Sequence, residues 1–232
     1  MKNNDFKRFE FKFAQEKYIL DEFMKAAKEY LLPDTNSEAA PYRVDSVYFD
    51  CKDYHDYHDK VNGNLIRGKF RVRSYGNIEQ SKSIFIEYKG KNGDFVNKIR
   101  VPITLDDYHE IIKSSIFDFE LKNFLPFPKY ILSEIYRRPS LQPKTIVTYE
   151  RKGFFYMWDS RVRITIDTDI RSCAFSEVYS HNEMFQMRGG LSVMEIKFEN
   201  NLPLVINEKI KEFNLLRVSN SKAEFSFSEN LT

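Results

Sequence analysis

Long apolar runs and paired cysteines are missing from this sequence of 232 residues. No segment approaches the ~20 uninterrupted apolar residues that a membrane helix needs, and the polar start, Met1 to Lys12, is not followed by the apolar segment of a signal peptide. The two cysteines, Cys51 and Cys173, lie far apart and outside metal-ligand spacing, which is typical of a reduced protein. We therefore expect a cytoplasmic chain without a membrane segment.

Other missing features exclude several classes of protein and of catalytic site. Glycine and proline, at 8 residues each, are too few for a collagen-like chain or a Pro-rich linker. The sequence has no Gly-rich phosphate loop and no local signature of Ser/His/Asp or Cys/His catalysis. The formal net charge is only +2, so an anion site must depend on where the charges lie rather than on their number.

Short segments with period-two patterning recur along the whole chain, and 21 Phe and 14 Tyr fit a strand-rich protein. The predicted strands are 6–13, 42–49, 65–75, 83–89, 95–101, 145–151, 154–158, 161–169 and 191–199. Helical spacing predicts helices within 15–31, 104–137 and 203–213. Because all-β barrels often use this length as one unit, we expect a single domain over residues 1–232.

Most predicted strands carry charged residues on one face and apolar residues on the other. In the third strand Arg67, Lys69, Arg71 and Arg73 alternate with apolar residues, and seven strands share such a pattern. An antiparallel sheet with one solvated face would look the same. Three features favour a charged interior instead: Lys and Arg outnumber Asp and Glu on these faces, like charges two residues apart repel without an anion, and the helices need apolar faces to cover. We therefore predict a closed antiparallel barrel with a basic bore.

A basic bore suits phosphate chemistry. Guanidinium groups bind phosphate oxygens in pairs, and lysine adds point charge. The rarer carboxylates on these faces, Glu10, Glu87, Asp167 and Glu195, suit Mg²⁺ or Mn²⁺, which prefer oxygen ligands. Triphosphate or polyphosphate bound together with a divalent metal is therefore the expected ligand.

An ordered set of short motifs resembles the VTC domain, the catalytic module of vacuolar transporter chaperone polyphosphate polymerases. This family belongs to the triphosphate tunnel metalloenzymes, relatives of the CYTH proteins, and the resemblance runs from about residue 6 to residue 225. The motifs are Phe9-Glu10-Phe11-Lys12, Ser46-Val47-Tyr48-Phe49-Asp50, the segment from Phe70 to Gly76, Ile86-Glu87-Tyr88-Lys89, Lys98-Ile99-Arg100, Tyr149-Glu150-Arg151, the segment from Arg161 to Thr168, Met194-Glu195-Ile196-Lys197 and Ser221-Lys222.

The resemblance implies a closed eight-stranded antiparallel barrel that forms a triphosphate tunnel, with helices packed outside. It implies that Glu195 binds the metal, with Glu87 and Glu10 as further candidates, and that Tyr149 flanks the nucleotide end. The implied phosphate-binding residues are Lys12, Arg71, Arg73, Lys89, Lys98, Arg151, Arg163 and Lys222. Arg100, Arg161 and Lys197 lie on the charged faces of their strands by alternation, so they are further candidates for phosphate binding, with less weight.

The sequence departs from its relatives in two respects. Arg8 stands where CYTH relatives commonly have a first Glu, and one fewer carboxylate argues against a two-metal hydrolytic site. The sequence also has no counterpart of the regulatory domain or membrane segment of the eukaryotic polymerases, so it does not predict synthesis coupled to export.

We expect a metal-dependent polyphosphate polymerase that transfers the γ-phosphoryl group of ATP to a phosphate or polyphosphate chain. Triphosphate hydrolysis on the same fold, a non-catalytic polyphosphate-binding module and a single-stranded nucleic-acid binder are the alternatives. No nucleic-acid motif is evident, and the near-neutral charge argues against the last of these. A group of His and Asp residues at 53–59 suits metal, but its turn-rich polar surroundings favour an ordinary surface segment.

Overall fold

The structure is a computed structural model that describes residues 8–35, 37, 40–93, 95–176, 184–219, 222 and 226–227. The chain divides into two compact units. Unit 1 comprises Met1–Tyr42, Tyr149–Ile170 and Gln186–Asn220, and unit 2 comprises Arg43–Thr148, Arg171–Phe185 and Ser221–Thr232. The single domain over 1–232 stays a prediction.

Ten strands and six helices follow one another along the described residues. The strands are β1 (Arg8–Gln15), β2 (Leu31–Pro33), β3 (Tyr42–Asp50), β4 (Ile66–Tyr75), β5 (Ile84–Asn92), β6 (Phe95–Ile103), β7 (Gln142–Tyr156), β8 (Asp159–Ala174), β9 (Phe185–Gln186) and β10 (Ser192–Glu199). The helices are α1 (Lys17–Ala26), α2 (His55–Val61), α3 (Leu105–Lys113), α4 (Ile116–Asn123), α5 (Lys129–Tyr136) and α6 (Leu204–Glu212).

The sheet is open rather than closed. Its strand order is β1-β10-β8-β7-β3-β4-β5-β6, with β2 beside β7 and β9 beside β8. The eight strands of this path confirm the predicted strand-rich antiparallel architecture, but the predicted closure is wrong, because β1 and β6 are its two edges and do not pair within the described residues. Period-two patterning tells which face of a strand is buried. It does not tell whether the edge strands meet, which depends on tilt and stagger.

In unit 1, strands β1, β10 and β8 present their apolar face to two helices. Antiparallel register places Phe11 opposite Ile196 and Ile196 opposite Ile164. Leu20 and Phe23 of α1 and Ile206 of α6 belong to the same buried cluster. Each such side chain contributes roughly 1.5–3 kcal/mol when fully buried. The alternate residues of these strands consequently lie on the face that the helices do not cover.

Unit 2 repeats the arrangement with other elements. Val47 lies opposite Val72, and Val72 opposite Ile86, in the antiparallel pairs β3–β4 and β4–β5. Helices α3, α4 and α5 bury Ile111, Ile116, Phe119, Ile131 and Ile135 in the same core. As predicted, the helices cover the apolar sheet face, which leaves the charged residues of β4, β5 and β6 on the opposite face.

Helix prediction succeeded only in part. The predicted helix within 15–31 is α1 followed by a short 3-10 turn at Lys28–Tyr30, and the segment 104–137 is split into α3, α4 and α5. A capping box between Thr104 and Asp107 begins α3. In the part of the chain that is described, no helix has both the length and the apolar character needed to cross a membrane.

Candidate functional site

Two groups of charged side chains occupy the charged sheet faces, one in each unit. The unit 1 cluster consists of Glu10, Lys12, Arg151, Asp167, Glu195 and Lys197. The unit 2 cluster consists of Tyr48, Lys69, Arg71, Arg73, Glu87 and Lys98. The resemblance implied a set of phosphate-binding residues and Glu195 as the metal ligand. Six of these residues lie in the two clusters: Lys12, Arg71, Arg73, Lys98, Arg151 and Glu195.

In the unit 1 cluster, two lysines and two glutamates alternate across the β1–β10 pair. Register sets Lys12 opposite Glu195 and Glu10 opposite Lys197. Lys12 Nζ lies 2.6 Å from a Glu10 oxygen and 3.7 Å from a Glu195 oxygen, while Lys197 Nζ lies 2.5 Å from the other Glu195 oxygen. Burial alone would raise the pKa of Glu195, but Lys197, Lys12 and Arg151 outweigh it and hold that pKa well below its usual range. Glu195 is therefore ionised at neutral pH.

Arg151 is fixed by a buried carboxylate. Its Nε and Nη2 donate to the two oxygens of Asp167 at 2.6 and 2.7 Å, and its guanidinium carbon lies 5.1 Å from the centroid of the Tyr149 ring. Burial opposes the charge of Arg151, but Asp167 outweighs it, so the pKa of Arg151 is raised well above its ordinary value. A bidentate pair of this kind fixes the direction of the guanidinium plane.

The two arginines of β8 that were predicted to bind phosphate, Arg161 and Arg163, have other partners. Arg163 Nη2 donates to Asp34 at 2.6 Å, and Phe155 lies beneath its guanidinium group. Arg161 forms a bidentate pair with Asp159, two residues away, and its side chain is 57% exposed. Arg161 therefore lies on the predicted face of the strand, but its ion-pair partner is Asp159 rather than a residue of the unit 1 cluster.

In the unit 2 cluster, Glu87 is the centre of the contacts. Arg71 Nε and Nη2 both approach one oxygen of Glu87, at 2.7 and 2.6 Å, and Lys98 Nζ lies 3.0 Å from the other oxygen. Arg71 Nη1 also donates to the Tyr48 hydroxyl at 3.1 Å, and Arg73 Nε donates to Ser46 Oγ at 3.2 Å. Glu87 and Arg73 are almost fully buried.

The pKa shifts in the unit 2 cluster agree on the sign of the local potential. Burial would raise the pKa of Glu87, but Arg71, Arg73 and Lys98 lower it to about 2. Burial together with Arg71 lowers the pKa of Lys98 to about 8, against the opposing charge of Glu87. Burial would raise the pKa of Tyr48, yet Arg71, Lys69 and Arg73 lower it to about 7. The shifts of Glu87 and Tyr48 are the response to surplus positive charge, which also adds to the effect of burial on Lys98, and such a site attracts anions.

Three other predicted residues also belong to unit 2. Lys89 lies between Lys69 and Lys98 in strand register. The guanidinium carbon of Arg100 lies 4.7 Å from the centroid of the Phe85 ring. Lys222 is half-buried, and residues 221 and 223–225 beside it lie outside the described part of the chain. The phosphate-binding roles of all three stay predictions.

The carboxylates of the two clusters differ in how well they fit a divalent metal. Glu195 and Glu10 share two lysines, and each offers oxygens that a divalent ion prefers. Two carboxylates are enough for Mg²⁺ or Mn²⁺ when water and phosphate oxygens complete the shell. Glu87 fits less well, because Arg71 and Lys98 engage both of its oxygens. Glu195 therefore fits a metal ion better than Glu87 does, and its role as a metal ligand stays a prediction.

Sequence reasoning missed the roles of Tyr48 and Asp34. Tyr48 alternates with the core residues Val47 and Phe49, so its position in β3 already placed it on the charged face. Asp34 lies after β2 in a connecting segment, where no period exists, and its contact with Arg163 joins residues 129 positions apart. Only the folded chain brings Asp34 and Arg163 together.

Comparisons with known proteins agree with this arrangement. The family model described as VTC domain matches residues 7–226. A putative adenylyl cyclase from Hippeastrum, reported with a dominant triphosphatase activity, has 12% identity and a TM-score of 0.55, with 96% of each chain covered. A putative adenylate cyclase from Vibrio parahaemolyticus has 11% identity and a TM-score of 0.50, with 94% of this chain and 96% of that chain covered. These likenesses show a shared fold. No curated protein matches the sequence.

Proposed function

Since the chain belongs to the VTC domain family, we propose that it is a metal-dependent enzyme that processes triphosphate or polyphosphate, and that it transfers the γ-phosphoryl group of ATP to a growing polyphosphate chain. The observation that carries the proposal is the surplus positive charge of the unit 2 cluster, where Lys69, Arg71, Arg73 and Lys98 surround Glu87 and Tyr48 and lower the pKa of Tyr48 to about 7. An enzyme that binds highly charged phosphate chains needs such a site.

In the unit 2 cluster, Arg71, Arg73 and Lys98 bind phosphate oxygens. Glu87 holds Arg71 and Lys98 in place, so the cations are oriented before the ligand arrives. A preoriented cation loses little freedom on binding and neutralises the charge that develops on the phosphoryl oxygens. Phosphoryl transfer of this kind needs alignment and charge neutralisation, and it needs no covalent nucleophile from the protein.

In the unit 1 cluster, Arg151 binds phosphate from the position that Asp167 sets, and Lys12 and Lys197 add charge beside Glu195. Glu195, with Glu10 beside it, would hold Mn²⁺ or Mg²⁺, which would neutralise phosphate oxygens when bound. The two lysines that now pair with Glu195 would then be available for phosphate. The Hippeastrum neighbour, reported with a dominant triphosphatase activity, favours hydrolysis as the second candidate reaction.

One assay separates these functions. The protein is incubated with ATP and Mn²⁺ or Mg²⁺, and polyphosphate chain growth is measured beside free phosphate release. Chain growth is the result we expect, whereas phosphate release without chain growth identifies a hydrolase. Tight polyphosphate binding without turnover identifies a binding module.

Glu195→Gln is the matched test of the metal ligand. The amide keeps the shape of the side chain but loses its charge, so turnover should fall to background while tripolyphosphate binding is largely kept. Glu212→Gln, which removes an exposed carboxylate paired with Lys209, serves as the control. If Glu195→Gln keeps its metal-dependent rate, Glu195 is not the metal ligand, and Glu10 or Glu87 becomes the candidate.

A further inference from the structure

Arg163 of β8 is held by a carboxylate from a distant segment of unit 1. Its Nη2 donates to Asp34 Oδ2 at 2.6 Å, and the Asp34 side chain is only 4% exposed. Asp34 Oδ1 and Arg163 Nε are buried as well, yet neither atom has a hydrogen-bond partner among the residues that the structure describes. Within this part of the chain, the Asp34 carboxylate therefore accepts from Arg163 alone.

The backbone around Asp34 is fixed to β7. The Asp34 N–H donates to the Gly153 carbonyl at 2.9 Å, and the Gly153 N–H donates to Ser37 Oγ at 2.7 Å. The Ser37 N–H donates in turn to the Asp34 carbonyl at 2.8 Å. Since these three hydrogen bonds close a ring between the two segments, they determine where the carboxylate of Asp34 lies.

Gly153 leaves the space that this carboxylate occupies. A Cβ at position 153 would lie 2.0 Å from Asp34 Oδ2 and 3.3 Å from Arg163 Nη2. Gly153 is not among the residues with a positive φ, so its backbone conformation does not require glycine. A glycine inside a strand weakens the strand and often marks the close approach of another group. Here that group is the carboxylate of Asp34.

Stability alone is a poor reason for this arrangement. A buried ion pair adds little net stability, and buried polar atoms without a partner are costly. The Arg151–Asp167 pair of the same unit uses both carboxylate oxygens, whereas Asp34 uses one. Local departures from the rules of stable packing are expected at functional sites. The contact between Asp34 and Arg163 therefore points to a role in binding.

Arg163 belongs to the charged face of unit 1. Register sets it directly opposite Lys197 of β10, and alternation puts it on the same face as Asp167. The Phe155 ring centroid lies 5.7 Å from its guanidinium carbon. The Arg163 side chain is 31% exposed, and Asp34 accepts from only one of the five N–H donors of a guanidinium group. The exposed part of Arg163 thus keeps donors for a phosphate.

We propose that Asp34 is a positioning residue, which holds the Arg163 guanidinium group in the orientation that binds a phosphate oxygen. This inference rests on the proposed function, because it takes Arg163 as a phosphate-binding residue. A side chain that is oriented before the ligand arrives loses less freedom on binding. Asp34 itself contacts no phosphate, since two anions repel each other. Removal of its charge should therefore weaken phosphate binding only while Arg163 is present.

The test is a double-mutant cycle, measured by calorimetric titration of the full-length chain with tripolyphosphate. Asp34→Asn keeps the shape of the side chain but loses its charge, and Arg163→Ala removes the guanidinium group. Each single variant should lose several-fold in affinity, while the double variant should bind like Arg163→Ala, because a residue that acts through another has no effect once the other is gone. Ser37→Ala, which removes one hydrogen bond of the ring, is a milder second variant and should lose part of the affinity.

Asp56→Asn is the matched control, because Asp56 is another buried carboxylate that holds an arginine, Arg138, outside both clusters. It should lower the stability in thermal unfolding and leave the tripolyphosphate affinity unchanged. The inference is overturned if Asp34→Asn keeps or raises the affinity, if its loss persists in the Arg163→Ala background, or if Asp56→Asn loses as much. An unmodified protein that does not bind tripolyphosphate overturns the proposed function together with the inference, whereas binding without coupling overturns only the role of Asp34.

Discussion

At the scale of single residues, Glu87 shows how the charged faces combine stability with function. Its buried carboxylate neutralises part of the charge of Arg71 and Lys98 and keeps both side chains in place. Removing one partner of a buried ion pair leaves the other uncompensated, which costs far more than the pair itself contributes. Arg71→Ala should therefore weaken folding as well as phosphate binding, whereas Arg73, which donates to a serine, can be removed with less effect on folding.

Glu87→Gln should make the protein less stable at neutral pH and remove a pH dependence. The folded-state pKa of Glu87 is depressed to about 2, so its ionised form stabilises the fold above the unfolded pKa of about 4.3, and this contribution is lost as pH falls toward 2. A shift of this size corresponds to a free energy of unfolding on the order of 3 kcal/mol. Urea unfolding of both proteins from pH 7 to pH 2.5 measures the difference. A gap that stays constant with pH would refute the assignment.

Tyr48→Phe should change how phosphate affinity depends on pH. As pH rises through about 7, Tyr48 ionises beside Arg71, and its phenolate cancels one positive charge of the unit 2 cluster. Tripolyphosphate affinity should then fall with rising pH in the unmodified protein and fall less in Tyr48→Phe, since phenylalanine cannot ionise. Titrations between pH 6 and pH 8.5 compare the two, and the ionisation of the ligand itself is common to both. Parallel curves would exclude a role for Tyr48.

At the scale of elements, alternation was enough to predict the long strands, although it divided β7 into two and missed the short strands β2 and β9 and the short helix α2. The core residues Val47, Val72 and Ile86 lie where period two placed them, and the helices cover them as expected. Helix α2 has only seven residues, and its first amides are bound by Asp50 at the end of β3 rather than by the residue before the helix. Sequence rules look for a cap next to the helix, so they indicated a turn-rich segment instead.

Asp50→Ala should destabilise unit 2 through the loss of this cap. The carboxylate of Asp50 accepts from the backbone N–H groups of Cys51, Asp56 and Tyr57 at 2.7–3.0 Å. Losing one helix cap costs about 0.5–2 kcal/mol, and buried amides left unpaired add to that cost. Chemical denaturation measures the change, with the exposed Asp53→Ala as control. If both variants lose the same small amount of stability, Asp50 is not the cap.

At the scale of the whole molecule, the strand-rich antiparallel class and the family were predictable, whereas the open sheet edges were not. Residues that alternate along one strand, such as Arg71 and Arg73, were correctly placed on a shared charged face. The partners of Arg71, Arg73 and Arg163 could not be read from the sequence, because Glu87, Ser46 and Asp34 come from other segments. The sequence thus predicted which residues carry charge toward the site, and the fold determined which of them pair with each other.

Calorimetric titration with tripolyphosphate tests most directly whether these basic clusters bind linear phosphate chains. The unmodified protein should bind it far more tightly than sulfate at matched ionic strength. Arg73→Ala should lose several-fold or more in affinity, because a charge-assisted hydrogen bond contributes ~1.5–3 kcal/mol. Lys122→Ala, which removes an exposed lysine paired with Glu110, should bind like the unmodified protein. Unchanged tripolyphosphate affinity in both Arg73→Ala and Arg71→Ala would contradict phosphate binding by the unit 2 cluster.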